Sequence, residues 1–181
     1  MEKTNVKKRF IRILIFIIVL IVLEQLTKVY AIKYTKDKEV TVIPNVLSFS
    51  YLENTGIAFG MAQGDSKGLI IFLNIIVIAM IMRFMISQHK KIGPKTMTLL
   101  SIAVAGGVSN LIDRFFRGYV VDFINLLIIP SYPRCNVADI LLVLSWFFLV
   151  FILVYRAKEE MKIGKEEIKI ENIEEEEKKS E

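Results

Sequence analysis

The chain has 181 residues, of which 54% are hydrophobic, and its mean hydropathy of +0.49 is too high for an ordinary soluble domain. The formal net charge of +5 does not indicate a nucleic-acid partner, because the basic residues flank apolar segments. A single cysteine, Cys135, excludes an intrachain disulfide, and a single histidine, His89, excludes a histidine-based metal cluster. We expect an integral membrane protein without a metal ion or cofactor.

Four apolar stretches are long enough to cross a bilayer, which takes about 20 residues of helix. They lie at about 9–32, 68–86, 96–116 and 136–155. The first begins with a basic segment like that of a secretory signal peptide, but no small-residue cleavage site follows, so we expect it to be retained. Together they predict one mainly α-helical membrane domain over residues 1–156.

The segments between and after these spans have a different pattern. Residues 39–52 alternate β-branched or aromatic residues with polar ones around a turn at Pro44, so 33–67 is predicted to form a small β-sheet subdomain on the membrane surface. Residues 117–135 are predicted to form a second exposed segment. The charged tail at 157–181 is expected to be frayed helix or disordered.

Lysine and arginine are concentrated in residues 1–12, in the 87–95 loop and at 156–158. Four spans place these three regions on one side of the membrane, which the positive-inside rule makes the cytoplasm. Residues 33–67 and 117–135 then lie outside. The sequence therefore predicts a multi-pass protein with both termini and the charged tail in the cytoplasm.

Several ionisable residues of the spans are predicted to meet in one layer near the outer face. Glu24 lies about 21 Å along the first helix from Phe10, at 1.5 Å per residue, and Asp113 lies about 25 Å along the third. Asp139 opens the fourth helix, close to the same face. Each ionisable group in a bilayer costs roughly 2.5 to 3.5 kcal/mol, so these carboxylates indicate a function. His89 falls on the opposite side, which removes the only imidazole from Ser-His or Cys-His chemistry.

Two neighbouring carboxylates titrate as a coupled pair, so one can activate water while the other donates a proton. We predict Asp122 and Asp139 to be such a catalytic pair, acting without a metal ion. A Ser-Lys dyad using Lys28 is a weaker alternative, because Glu24 one turn earlier is a natural ion-pair partner. A small transporter or proton-conducting membrane protein that uses Glu24, Asp113 and Asp139 as a relay is an alternative from another class, but a relay would need polar groups at successive depths. A structural scaffold is the third alternative, and it would not need the two carboxylates.

Five motifs occur in order along the chain: Glu24-Gln-Leu-Thr-Lys28, Asn54-Thr-Gly-Ile-Ala-Phe-Gly60, Gly106-Gly-Val-Ser-Asn-Leu-Ile-Asp-Arg114, Val120-Val-Asp-Phe-Ile124 and Asn136-Val-Ala-Asp139. With the four spans, this set resembles bacterial lipoprotein signal peptidase, or signal peptidase II, over about residues 9–156. The resemblance implies an aspartyl endopeptidase that cleaves the signal peptide from diacylglyceryl-modified prolipoproteins just before the lipidated cysteine. Its catalytic aspartates match Asp122 and Asp139.

The resemblance also implies a location and further roles. The protein is expected in the bacterial cytoplasmic membrane, surrounded by lipid, as a monomer with its active site near the outer face. Asn110 and Arg114 match substrate-contacting positions, and Asn54 and Gly56 match an outer loop that covers the cleft. The residues expected to bind substrate or to support the catalytic pair are Asn54, Gly56, Asn110, Arg114, Asn136, Asp113, Glu24 and Lys28.

Two positions depart from the family pattern. The first motif usually begins with aspartate, and here it begins with Glu24, whose extra methylene moves the charge by about 1.5 Å. The residue before Asn136 is usually phenylalanine, and here it is Cys135. The first change affects a supporting charge and the second a packing contact, so we expect Glu24 to be a supporting residue and Cys135 to have no catalytic role.

Overall fold

The computed structural model of the protein describes residues 2–56, 67–129 and 131–180. Its helices and strands follow one another as α1 (Glu2–Thr35), β1 (Val40–Ile43), β2 (Leu47–Asn54), α2 (Lys67–Ser87), α3 (Pro94–Phe116), β3 (Val120–Leu126) and α4 (Val137–Ser180). The predicted fold class, mainly helical with a small sheet, is confirmed. The chain divides into two compact units, Met1–Ser145 and Trp146–Glu181, and the first holds all three strands.

Each of the four helices contains a stretch long and apolar enough to cross a membrane: Val6–Thr35, Gly68–Ser87, Pro94–Phe116 and Val137–Gly164. Over an apolar 18-residue part of each stretch, only 6% of the residues are buried in α1 and 17% in α2, whereas half are buried in α3. Helices that are apolar all round and still exposed need lipid around them. The protein is therefore a multi-pass membrane protein, and α3 is the most buried span of the first unit.

Two adjacent glycines allow α3 to approach its neighbours closely. A Cβ atom on Gly106 would lie 3.0 Å from the carbonyl oxygen of Ala138 and 3.0 Å from Cγ of Leu142. One on Gly107 would lie 3.2 Å from Cγ1 of Ile78 in α2. Small residues provide such close packing between membrane helices. Gly106 therefore allows the first turns of α4 to pack closely against α3, and Gly107 does the same for α2.

The sheet is antiparallel and has the order β1-β2-β3. Asn45 makes the turn between β1 and β2 with a φ of 58°, a left-handed conformation that asparagine tolerates. In β3, residues Val120 to Ile124 are buried. The prediction of an exposed segment at 117–135 was therefore wrong over β3, because its apolar side chains are covered on both faces of the strand.

The apolar core beneath the sheet joins α1 to β3. It contains Ala31, Phe123, Ile124 and Cys135, with Phe49 packed against it. The rings of Phe49 and Phe123 meet edge to face with their centroids 5.8 Å apart, an arrangement that stabilises aromatic pairs. This core anchors Asp122, which lies between Val121 and Phe123 in β3.

Two predictions concern the ends of the described segments. Of the two states predicted for the charged tail, the structure has helix, since α4 continues to Ser180. The predicted sheet region at 33–67 contains β1 and β2. Residues 57–66, which include the end of the second motif, lie outside the described residues.

Candidate active site

Asp122 lies in the middle of β3, and its side chain is wholly buried. The amide of Asn54 donates a hydrogen bond of 2.8 Å to Oδ2, and the amide of Asn136 donates one of 2.8 Å to Oδ1. Asn54 reaches Asp122 because β2 pairs directly with β3. Its own side-chain oxygen accepts the N–H of Gly56 at 3.0 Å, which fixes the orientation of the amide. Both carboxylate oxygens of Asp122 are therefore held by neutral donors.

Asp139 lies in the first turn of α4, where the helix dipole favours a negative charge. The side-chain oxygen of Asn136 accepts the N–H of Asp139 at 2.9 Å, and Oδ2 of Asp139 accepts the N–H of Asn136 at 3.2 Å. This reciprocal pair resembles a helix capping box. Asn110 of α3 donates to Oδ1 of Asp139 at 2.8 Å. Asn136 is therefore bonded to both aspartates.

A β-bridge between Ile124 and Cys135 brings the two aspartates together. The N–H of Ile124 donates to the carbonyl oxygen of Cys135 at 2.8 Å, and the N–H of Cys135 donates back at 3.1 Å. The chain between them thus folds back on itself and sets Asn136 opposite Asp122. The charge of Asp139 raises the pKa of Asp122, so the two carboxylates are electrostatically coupled.

The environment of Asp122 raises its pKa to about 7. Burial away from water is the largest cause, and the negative charge of Asp139 is the second. The hydrogen bonds from Asn54 and Asn136 and the positive charge of Lys28 oppose this rise. A carboxyl group with a pKa near neutral pH can both hold and release a proton, which is what an acid–base catalyst requires.

A second set of polar residues, which we call the ion-pair cluster, consists of Asp113, Lys28 and Arg117. Asp113 is wholly buried, and Lys28 Nζ lies 2.8 Å from its Oδ2. Arg117 Nη1 binds Oδ1. The amide of Gln25 and the N–H of Val121 donate to the same carboxylate at 3.2 Å and 3.1 Å. Asp113 therefore ties α1, α3 and β3 together and is compensated by two cations.

Lys28 connects the ion-pair cluster to the aspartate pair. Its Nζ donates to Oδ1 of Asn110 at 2.8 Å, which directs the amide nitrogen of Asn110 towards Asp139. The predicted Glu24–Lys28 ion pair is present at 3.6 Å, but Asp113 at 2.8 Å is the nearer partner of Lys28. Because Lys28 is wholly buried and committed to these anions, it is poorly suited to act as the base of a Ser-Lys dyad.

A cleft of about 500 Å³ lies beside the aspartate pair. Its polar lining includes Asn54, Gly56, Asn110, Arg114, Arg134 and Asp139. Arg114 Nη2 donates to the carbonyl oxygen of Gly56 at 3.1 Å, which links α3 to the end of β2. Asp139 is partly exposed and Asp122 is wholly buried, so the cleft reaches the pair through Asp139.

All the residues predicted for the site lie in the first unit and are connected as described above. Glu24 and Asp113 both contact Lys28, which is linked to Asp139 through Asn110. Asp113, predicted as a supporting residue, pairs with Lys28 and Arg117. Two residues that contact Asp113, Arg117 and Gln25, were not predicted. The spacing of one helical turn from Asp113 could have indicated Arg117, and Gln25 lies within the first motif.

Comparison with known proteins decides the family. The family model described as signal peptidase (SPase) II matches residues 16–155. The chain belongs to the signal peptidase II family. One relative, the lipoprotein signal peptidase of Clostridium novyi (strain NT), is 37% identical over 145 residues, which cover 76% of this chain and 94% of the relative. That of Clostridium tetani (strain Massachusetts / E88) is 36% identical over 145 residues, covering 78% and 91%.

Two solved structures of bacterial membrane enzymes share this fold. A bacterial membrane enzyme solved by the in meso method at 2.3 Å resolution superposes with a TM-score of 0.70 and 25% identity, covering 81% of this chain and 89% of that one. A second, solved by the same method at 1.9 Å, has a TM-score of 0.67 and 27% identity, covering 78% and 92%. The signal peptidase II resemblance found in the five motifs is thus confirmed.

Proposed function

We propose that the protein is an aspartyl endopeptidase that removes the signal peptide from diacylglyceryl-modified prolipoproteins. The bond cleaved is the one just before the lipidated cysteine. The observation that carries the mechanism is the bridging of Asp122 and Asp139 by Asn136 at the wall of a cleft. The substrate class is supported by membership of the signal peptidase II family and by relatives that are named lipoprotein signal peptidases.

In this mechanism the pair starts with one proton, which Asp122 holds. Asp139, which lines the cleft, takes a proton from the attacking water. Asp122, whose pKa is about 7, gives its proton to the carbonyl oxygen of the scissile bond. When the tetrahedral intermediate collapses, the proton on Asp139 passes to the leaving nitrogen, and a hydroxyl proton returns to Asp122. The pair is then restored to its starting state, and no covalent intermediate or metal ion is required.

The surrounding residues are proposed to hold the pair and the substrate. Asn110 keeps Asp139 in place and is itself held by Lys28. Arg114, tethered to the carbonyl oxygen of Gly56, is placed to bind the peptide that lies in the cleft. Asn54 positions Asp122 and, through its contact with Gly56, couples the end of β2 to the catalytic carboxylate.

The proposed orientation places this site at the outer face of the cytoplasmic membrane. It rests on the lysine and arginine bias of the sequence, which puts both termini and the 87–95 loop in the cytoplasm. Tyr132 and Lys91 are both exposed and lie on opposite sides in this arrangement. In a Cys135→Ala background, Tyr132→Cys should react with an impermeant maleimide on intact cells, and Lys91→Cys only after permeabilisation. The reverse pattern would invert the topology.

The mechanism is tested by the rate at which purified protein shortens a lipidated precursor in detergent. Asp122→Asn and Asp139→Asn should each lower this rate at least about 10²-fold, the lower range for general acid–base catalysis. Because the two residues act as a unit, the double variant should be little worse than either single one. Substrate binding should persist in all three variants. Near-normal turnover in either single variant would rule out the dyad.

A matched substrate tests the proposed specificity. The same precursor without its diacylglyceryl group should be cleaved far more slowly by the wild-type protein. Equal cleavage of both precursors would leave a peptidase but would remove the lipidated substrate from the proposal. The two experiments therefore separate failure of the chemistry from failure of the substrate class.

A further inference from the structure

A second cavity, of about 340 Å³, lies between the beginning of α1 and the first turns of α3. We call it the arginine groove, and the lining residues used below are Arg9, Arg12, Ile13, Phe16 and Met97. Lys28, which belongs to the active-site layer, comes 19 residues after Arg9, so the groove lies about 28 Å from that layer along α1. This is close to the thickness of the hydrocarbon core, about 30 Å, so the groove lies at the opposite membrane interface.

The groove has a charged part and an apolar part. Arg9 Nη1 donates to the carbonyl oxygen of His89 at 2.8 Å, which uses one of its five N–H groups and holds the guanidinium at the end of the helices. Arg12 makes a long contact of 3.4 Å through Nε to the carbonyl oxygen of Lys8 on its own helix. Guanidinium groups match phosphate oxygens in a two-pronged geometry. Their spacing of three residues places both on one face of α1.

The apolar part continues from the arginines towards the middle of the span. Ile13 and Phe16 follow on the same face of α1, and Met97 contributes from α3. None of the described residues that line the groove is acidic. A free phosphate ion would use the arginines but would make no contact with this apolar wall. A phospholipid satisfies both parts, since its phosphate meets the arginines while its acyl chain covers the wall.

We propose that the arginine groove binds one anionic phospholipid. The phosphate lies against Arg9 and Arg12, and one acyl chain lies along Ile13, Phe16 and Met97. Basic pockets between transmembrane helices are a recurrent means of holding acidic headgroups. This lipid is separate from the lipidated substrate, because the groove and the aspartate pair lie at opposite ends of the helices.

Native mass spectrometry of the detergent-purified protein, titrated with phosphatidylglycerol, phosphatidylcholine or inorganic phosphate, tests the proposal. One phosphatidylglycerol should be retained per chain, with weaker retention of phosphatidylcholine. Arg12→Gln should weaken phosphatidylglycerol binding about fivefold, the effect of one basic residue near an anionic lipid, and Arg9→Gln with Arg12→Gln about 25-fold. Phe16→Ala should weaken binding of both lipids, because it removes part of the wall.

Arg83→Gln is the matched control, since it removes the same charge from an exposed position in α2 that does not line the groove. It should leave phosphatidylglycerol binding unchanged. An equal loss in Arg83→Gln and Arg12→Gln would reduce the effect to general surface charge and overturn the proposal. Inorganic phosphate bound as tightly as the lipid would also overturn it. Cleavage of the precursor should persist in Arg12→Gln, which shows that the variant is folded.

Discussion

Asp113 and Asp122 are both wholly buried, but they have different partners. Asp113 is bound by two cations, Lys28 and Arg117, whereas the direct hydrogen-bond donors of Asp122 are the neutral amides of Asn54 and Asn136. The two cations compensate the charge of Asp113, whereas burial and the charge of Asp139 raise the pKa of Asp122 to about 7. Asp113 is thus suited to a structural role and Asp122 to proton transfer, although both are buried aspartates of the same polar layer.

The largest effect that this difference predicts is on stability. Asp113→Asn leaves Lys28 and Arg117 without their shared carboxylate, and breaking a buried ion pair from one side costs about 3–5 kcal/mol. We expect a large fall in the thermal midpoint of unfolding in detergent. Asp122→Asn should lower it much less, because an uncharged side chain at that position removes the repulsion from Asp139. An equal loss of stability in both variants would contradict the contrast.

The second prediction concerns Asn54, the last residue of β2, which donates a hydrogen bond to Asp122. Asn54→Ala removes a hydrogen bond of 2.8 Å to the carboxylate, and this bond favours the ionised form. The pKa of Asp122 should therefore rise above its value of about 7, and the alkaline limb of the pH–rate profile should move to higher pH. The rate at pH 7 should fall about tenfold, as expected for one hydrogen bond to a charged group.

The raised pKa of Asp122 also makes the stability of the folded protein depend on pH. The pKa of Asp122 is raised from 3.8 to about 7, so the folded protein keeps a proton that the unfolded chain has lost. Its contribution to stability is therefore complete below about pH 4 and is lost as the pH rises towards about 7. This slope should disappear in Asp122→Asn. Asn125→Ala, an asparagine of β3 paired with Ser48 away from the aspartates, is the control and should keep both profiles.

A smaller effect is expected at Glu24, which lies beside the ion-pair cluster. Glu24 lies 3.6 Å from Lys28, while Asp113 and Asn110 lie at 2.8 Å. Glu24→Gln therefore leaves the nearer partners in place, and we expect the cleavage rate to fall less than about fivefold, or about 1 kcal/mol. Glu24→Asp, which has the residue usual in the family, should be at least as active. Complete inactivation of a folded Glu24→Gln protein would move Glu24 into the catalytic machinery.

The sequence was sufficient for the fold class because four long apolar runs leave few alternatives in a membrane. It was also sufficient for the family, since the five motifs occur in order. It was not sufficient for β3, because the run Val120 to Ile124 carries an aspartate and follows a glycine-containing turn, so burial on both faces was not expected. Pairing with β2 and packing on the helices are long-range effects that local patterns do not contain.

The candidate site shows the same limit. Individual residues were named from motifs and depth, and their catalytic roles remain predictions. The partners of Asp113 were not predicted. Asp113 pairs with Lys28 and Arg117, although Arg114 is its neighbour in the chain. Residues at adjacent helical positions point in different directions, whereas those one turn apart share a face. The spacing of four residues between Asp113 and Arg117 was the better guide.

The smallest effect is predicted for Cys135, which lies in the apolar core close to both aspartates. Burial and then the charges of Asp139 and Asp122 raise the pKa of its thiol to about 11, so it is protonated at neutral pH and is a poor nucleophile. Its structural contribution is the backbone bridge to Ile124, which a serine keeps. Cys135→Ser should therefore leave the rate of precursor cleavage unchanged. A chelator should have no effect either, because the described residues contain no group of three or more His, Cys, Asp or Glu side chains that could hold a metal ion. Loss of activity in a folded Cys135→Ser protein, or loss on chelation that added metal restores, would show that the aspartate pair does not act alone.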